Sequence, residues 1–185
     1  MSSIYLHIGR LDEARVAHER ALRSNPRSRT GNLEYFYIYS GDFVRAEEMA
    51  EAWYRERPTN TVTHVTRIIT ALLNGRLELA EERLAIALTH VPHEPWVVVL
   101  EGILHARRGH SDRALQCVGR ALQSPRSFGH THHVHHHVAN VYALLGDVES
   151  AMAWVERTAD TGFPCWPSGS IPIWRTCALS PPSSS

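Results

Sequence analysis

Between Gly75 and Pro92 the apolar residues Leu77, Ala80, Leu84, Ala87 and Leu88 recur at the three-and-four spacing of one helix face, with charged residues between them. The run before Gly75 reads as a preceding helix. Gly75 is the residue that can end that helix in the left-handed conformation without steric cost, and Pro92 stops the second helix because it cannot continue one. Residues 61–94 are therefore expected to form a helical hairpin.

The same order recurs along the chain. Turn glycines stand at Gly9, Gly41, Gly75, Gly109 and Gly146, separated by 32, 34, 34 and 37 residues. Five residues after each comes an alanine: Ala14, Ala46, Ala80, Ala114 and Ala151. Pro26, Pro58, Pro92 and Pro125 follow four of the second helices, and Pro164 follows the fifth after a longer gap. Small residues at Ala21, Ala87 and Ala121 let neighbouring helices approach closely. The predicted helices include Leu11–Arg23, Arg29–Ser40, Phe43–Arg57, Pro95–Arg108, Ser111–Gln123 and Val148–Thr161. Asp42 is placed to cap the helix that follows it, and Pro95 opens its helix where a missing N–H costs nothing.

A unit of about 34 residues in this order resembles the tetratricopeptide repeat (TPR). The resemblance implies an all-α fold, a right-handed superhelical solenoid of antiparallel helix pairs. Its units are a partial hairpin at 1–26, complete ones at 27–60, 61–94 and 95–125, and a last one at 126–164 with a longer leading loop. Trp53 and Thr158 replace the late alanine of two units, and Ser111 replaces the apolar residue after Gly109. The last repeat resembles those of TPR regions attached to bacterial multidomain regulators such as protein kinases, adenylate cyclases and winged-helix activators. An incomplete first unit carries the expectation that the chain belongs to a longer protein. Residues 165–185 lose the helical period, end in Pro and Ser, and are expected to be disordered.

Charge narrows the partners. Lys plus Arg equals Asp plus Glu, 19 against 19, so the basic excess that binds phosphate backbones is missing and no direct nucleic-acid contact is expected. No apolar run reaches the roughly 20 residues of a membrane span, and the N-terminus does not read as a secretory signal. Cys117, Cys165 and Cys177 have no metal-like spacing and read as reduced thiols, in keeping with a cytoplasmic location.

The 13 histidines are the compositional oddity. In the tract His130–His137, His132 and His136, and likewise His133 and His137, lie four apart on a helix, so each pair is a metal candidate; without a third ligand no metal site is assigned, and a solvated histidine face is the plainer reading. Glu101 and His105, also four apart, read as a surface contact. No nucleophile elbow, phosphate-binding glycine loop or Cys/His pairing is present, so neither an enzyme nor a cofactor is expected.

The TPR resemblance also implies a partner site. Its first helices line the concave face, and that register assigns to the groove Asn32, Tyr35 and Tyr39; Val65, Ile69 and Leu73; Trp96, Val99, Ile103 and Arg107; and His133, His136 and Asn140. Such a surface suits a peptide or an amphipathic helix of a protein partner. For each residue the alternative is packing between adjacent hairpins. Val62, Val65, Thr66 and Ile69 stand where a carboxylate clamp needs cations or amides, so capture of a chaperone tail is not expected. The remaining expectations are a metal- or pH-responsive histidine element and self-association through the solenoid ends.

Overall fold

The computed structural model describes residues 5, 10–24, 33–124 and 131–160. Among these the chain forms nine helices and no strand: α1 (Leu11–Ser24), α2 (Leu33–Ser40), α3 (Phe43–Glu56), α4 (Thr61–Leu73), α5 (Leu77–His90), α6 (Pro95–Arg107), α7 (Ser111–Gln123), α8 (Thr131–Leu144) and α9 (Val148–Asp160). The ends agree with the sequence reading to within a residue wherever both are described. The partial leading helix, Gly9, the loop before α8 and the tail from 165 lie outside the described residues.

One turn is used four times. Gly41, Gly75, Gly109 and Gly146 all have φ between 70° and 81°. In each turn the glycine N–H donates three residues back, as from Gly75 to the Leu72 carbonyl at 3.1 Å, and the following N–H donates five back, as from Arg76 to the Ala71 carbonyl at 3.0 Å. This pair of bonds satisfies carbonyls that the helix end leaves open, and it needs a residue that tolerates positive φ. The five-back bond is also made from Arg10 to the Tyr5 carbonyl at 2.9 Å, at the position the sequence assigns to the first turn. The next helix then starts at once: Asp42 accepts from the Arg45 N–H at 3.2 Å and Asp147 from the Ser150 N–H at 3.0 Å.

Each hairpin packs its two helices together, α2 with α3, α4 with α5, α6 with α7 and α8 with α9. Neighbours stack in order, with α3 on α4, α5 on α6, α4 on α6 and α6 on α8. Ala14, Ala46, Ala80, Ala114 and Ala151 are at most 2% exposed. A methyl group is all that fits where two helix backbones meet, so the recurring alanine sets how closely the pairs approach. Gly102 makes a tighter junction: a Cβ there would stand 3.2 Å from the Cys117 Cβ and 3.3 Å from the Ala114 carbonyl. α4 is buried without a break from Thr63 to Leu73 because α3, α5 and α6 cover it, and its threonines return their hydroxyls to the backbone, Thr66 to the Val62 carbonyl at 2.8 Å and Thr70 to the Thr66 carbonyl at 3.0 Å. The replaced alanine position at Thr158 is accommodated likewise, buried with its hydroxyl donating to the Trp154 carbonyl at 2.7 Å.

A polar network pins the second hairpin to the third. Arg83, 4% exposed, donates to Glu47 at 2.8 Å, to Glu51 at 2.6 Å and to the Arg67 carbonyl at 2.6 Å. Arg67 donates to Glu51 at 2.8 Å and lies over the Tyr54 ring, 3.7 Å from its centroid. Asn74 reaches Glu47 at 2.6 Å, and Arg76 pairs with the same carboxylate. Arg83, Glu47 and Arg67, at most 10% exposed, must be compensated by their partners because little water reaches them, while Glu51 and Arg76 lie at the solvent edge.

Two consequences are measurable by urea denaturation. Gly109→Ala forces a β-carbon into the left-handed region and should cost about 1–2 kcal/mol. Arg83→Met takes away the donor to Glu47 Oε1 and to Glu51, leaving Glu47 only Asn74 and the partly exposed Arg76, and should cost about 2 kcal/mol or more, whereas Arg45→Ala, which breaks an exposed pair with Asp42, should change stability by less than about 1 kcal/mol. Equal losses for the two arginines would show that the enclosed network has no special weight.

Candidate functional site

The groove assigned from the TPR register is placed deeper than a contact surface. Val65, Val99, Ile103 and Asn140 are 0–1% exposed, and Ile69, Leu73 and Trp96 are also buried. They pack among α4, α6 and α8 and their partner helices, because each of these first helices is covered by its own hairpin partner and by a neighbouring hairpin. Arg107, His133 and His136 retain part of their surface. Tyr35 and Tyr39 lie on α2, the description of which does not extend to those two side chains, and Asn32 lies outside the described residues.

α6 and α8 together build the most distinctive feature of this face. The Trp96 indole stacks on the His133 imidazole with ring centroids 4.4 Å apart and planes inclined by 6°, and His137 lies 6.4 Å away on the same indole. His132 touches His133, with centroids 4.3 Å apart, and His136 touches His137 at 5.4 Å. Asn140 and the His137 Nδ1 are 3.4 Å apart in the interior. His135 points elsewhere, to Trp154 of α9 at 5.2 Å. Thus a tract that reads in sequence as a uniform histidine face is divided among three environments by the helix.

Burial disfavours the protonated form of His135, His136 and His137. Burial, reinforced by His132, pushes His136 down to about 4, although part of its surface is exposed. Burial, with His136 and His133 adding repulsion, holds His137 well below the usual imidazole range. His135 is lowered by burial and then by Arg157. The histidine pairs do not assemble three donors around one point. Among the described residues the group that does is Glu101, His105 and Cys117, whose ligand atoms lie within 4.8 Å of one another. In sequence Glu101 and His105 read as a surface pair; Cys117 comes from α7, across the close junction at Gly102.

Catalytic chemistry finds little support in these groups. Burial pushes the Cys117 thiol up to about 11, so it is a neutral thiol and a poor nucleophile near neutral pH. His105 is lowered, mainly by burial.

Residues 95–120 and 132–157 match a family model described as tetratricopeptide repeat. These segments are similar to tetratricopeptide repeats. They coincide with α6–α7 and α8–α9, the two hairpins that carry the Trp96–His133 stack. The fold of the chain is the all-α helical-repeat solenoid of TPR proteins. It is similar to a thermophilic TPR protein of Thermus thermophilus, with a TM-score of 0.63 and 20% identity over 93% of this chain and 92% of that one. It is also similar to a tetratricopeptide repeat protein from Parabacteroides merdae, with a TM-score of 0.53 and 16% identity over 86% of this chain and 76% of that one. No curated protein matches the chain in sequence. Among the described residues no helix is long and apolar enough to cross a membrane.

The depressed histidines tie stability to pH. Below about 6.5, the ordinary imidazole value, the unfolded chain binds protons that folded His136 and His137 refuse. Stability present at neutral pH is therefore lost as pH falls from about 6.5 towards 4, by up to about 1.4 kcal/mol per pH unit for each histidine. Urea midpoints measured between about pH 7.5 and about pH 5 should fall steeply, and the double substitution His136→Gln with His137→Gln should flatten that slope. An unchanged slope in the double variant would place the acid sensitivity elsewhere.

Proposed function

We propose that the chain is a non-catalytic protein-interaction module that holds a peptide or a helix of a partner against the face built by α6 and α8. TPR repeats generally serve protein–protein interaction, and a preformed helical stack lets binding proceed with little backbone ordering. The observation that carries the assignment to this face is the Trp96–His133 stack with Arg107, His133 and His136 still reachable at its surface. Aromatic and arginine groups held in fixed positions are the kind of anchor that dominates interface energies. The buried aliphatic residues Val65, Ile69, Leu73, Val99 and Ile103 act beneath that surface by fixing the helices in place. In this reading the module works in the cytoplasm as part of a larger regulatory protein, and it contacts neither nucleic acid nor membrane.

A second reading rests on the neutral histidines. His136 and His137 would bring the same face apart on acidification, giving a pH-responsive module. Self-association through the ends of the stack is a further mode of assembly, to be read from the mass in solution across concentration.

The test is capture of partners from the parent organism's extract by the immobilised chain. Arg107→Ala combined with His133→Ala removes partly exposed groups and should weaken the captured partner about tenfold or more while leaving the helical circular dichroism unchanged. Trp96→Ala is the wrong probe, because a Trp 3% exposed should cost about 3–5 kcal/mol of stability by itself. Undiminished capture by the double variant would move the binding surface away from α6 and α8.

A further inference from the structure

We propose that Glu101, His105 and Cys117 form a binding site for a zinc-type divalent ion that bridges α6 to α7. Glu101 and His105 are one turn apart on α6, so they present a carboxylate and an imidazole side by side. Cys117 faces them from α7, at the place where a β-carbon on Gly102 would stand 3.2 Å from the Cys117 Cβ, so the absence of a side chain there lets the two helices pack closely. The three ligand atoms lie within 4.8 Å of one another. A tetrahedral site with metal–ligand bonds of about 2.0–2.3 Å has ligand atoms about 3.3–3.6 Å apart. Closing the remainder takes about 1 Å, within reach of small side-chain rotations.

Three further features fit an ion. The His105 Nδ1 is buried and has no hydrogen-bond partner, a cost that ligation through this nitrogen would remove. Arg120 donates to Glu101 Oε2 at 2.7 Å, which orients the carboxylate and leaves Oε1 for the metal, as outer partners of ligating carboxylates do. The charges also close: a divalent ion with one thiolate, one carboxylate and one neutral imidazole is neutral as a unit, so uptake of the ion with loss of the Cys117 proton takes the site from the single negative charge of Glu101 to zero. Binding forms a metal–sulfur bond and breaks the S–H bond of Cys117, its proton passing to water. Glu101 and His105 are both partly exposed and give the ion an entry path, and the fourth coordination position is left to water. Mixed sulfur, nitrogen and oxygen ligands of this kind favour zinc over calcium or magnesium. The bound ion would cross-link one TPR hairpin and stabilise it by mass action.

Cobalt(II) is the probe, because thiolate ligation gives a sulfur-to-cobalt charge-transfer absorption that imidazoles and carboxylates alone do not. The whole chain, reduced and freed of metal, should develop this band at one equivalent of cobalt and lose it on addition of zinc. Cys117→Ser should abolish the band, while Cys165→Ser with Cys177→Ser should keep it. Glu101→Gln and His105→Gln, at partly exposed positions that leave the fold intact, should each weaken zinc binding by about tenfold or more. Zinc should also raise the midpoint of thermal unfolding in the parent chain and not in Cys117→Ser. A band that is missing, that survives Cys117→Ser, or that depends on Cys165 and Cys177 would overturn the proposal, as would cobalt bound only through the histidine tract without a sulfur band.

Discussion

The closest approach between helix backbones is the constraint on which the architecture depends. A helical hairpin with a one-residue left-handed turn leaves its two helices no choice of register, so the first inward position after the turn meets the neighbouring helix at short range. Alanine occupies that position in all five units and is at most 2% exposed. A larger side chain would separate the helices and expose the valine, leucine and isoleucine layer behind it, at about 25 cal/mol per Å² of apolar surface returned to water. The hydrophobic core is thus a consequence of the turn and the alanine together.

On this frame the polar interior has a specific role. Glu47, Glu51, Arg67 and Arg83 come from three helices and pair with one another, Glu47, Arg67 and Arg83 in the interior and Glu51 at its edge. Enclosed ion pairs of this kind add little net energy compared with apolar packing, but a misplaced neighbour would leave a charge stranded. They therefore bias the second and third hairpins towards one mutual arrangement. The histidine tract shows the complementary effect. His133 and His137 serve as flat, partly polar rings that stack on Trp96, and burial makes His136 and His137 unwilling to accept a proton.

How much of this was legible in the sequence follows from the range of each interaction. The glycine turns, the caps at Asp42 and Pro95 and the buried alanines are local and periodic, and a single chain displays them directly. Depth is not local. The register that put Val65, Val99 and Ile103 on the inner face of their helices was a statement about direction, and only the neighbours on α3, α5 and α8 decide that this direction leads into the core. Trp96 fell between the two cases, since its face was legible and its stacking on His133 was not. Arg83 gave a faint signal, standing beside Leu84 on a helix face otherwise apolar. Cys117 gave none, because its proximity to Glu101 and His105 arises from a crossing between helices set by Gly102.

The most direct test of the central claim is a comparison of one substitution at two alanines. Ala114, fully buried at the α6–α7 contact, and Ala153, exposed on α9, are each replaced by leucine, and the free energy of unfolding is measured from urea titrations. Ala114→Leu should lose about 1–3 kcal/mol by overpacking, and Ala153→Leu should change stability by less than about 0.5 kcal/mol. Equal stability of the two variants would contradict the claim that close helix contact at the recurring alanine holds the repeat together.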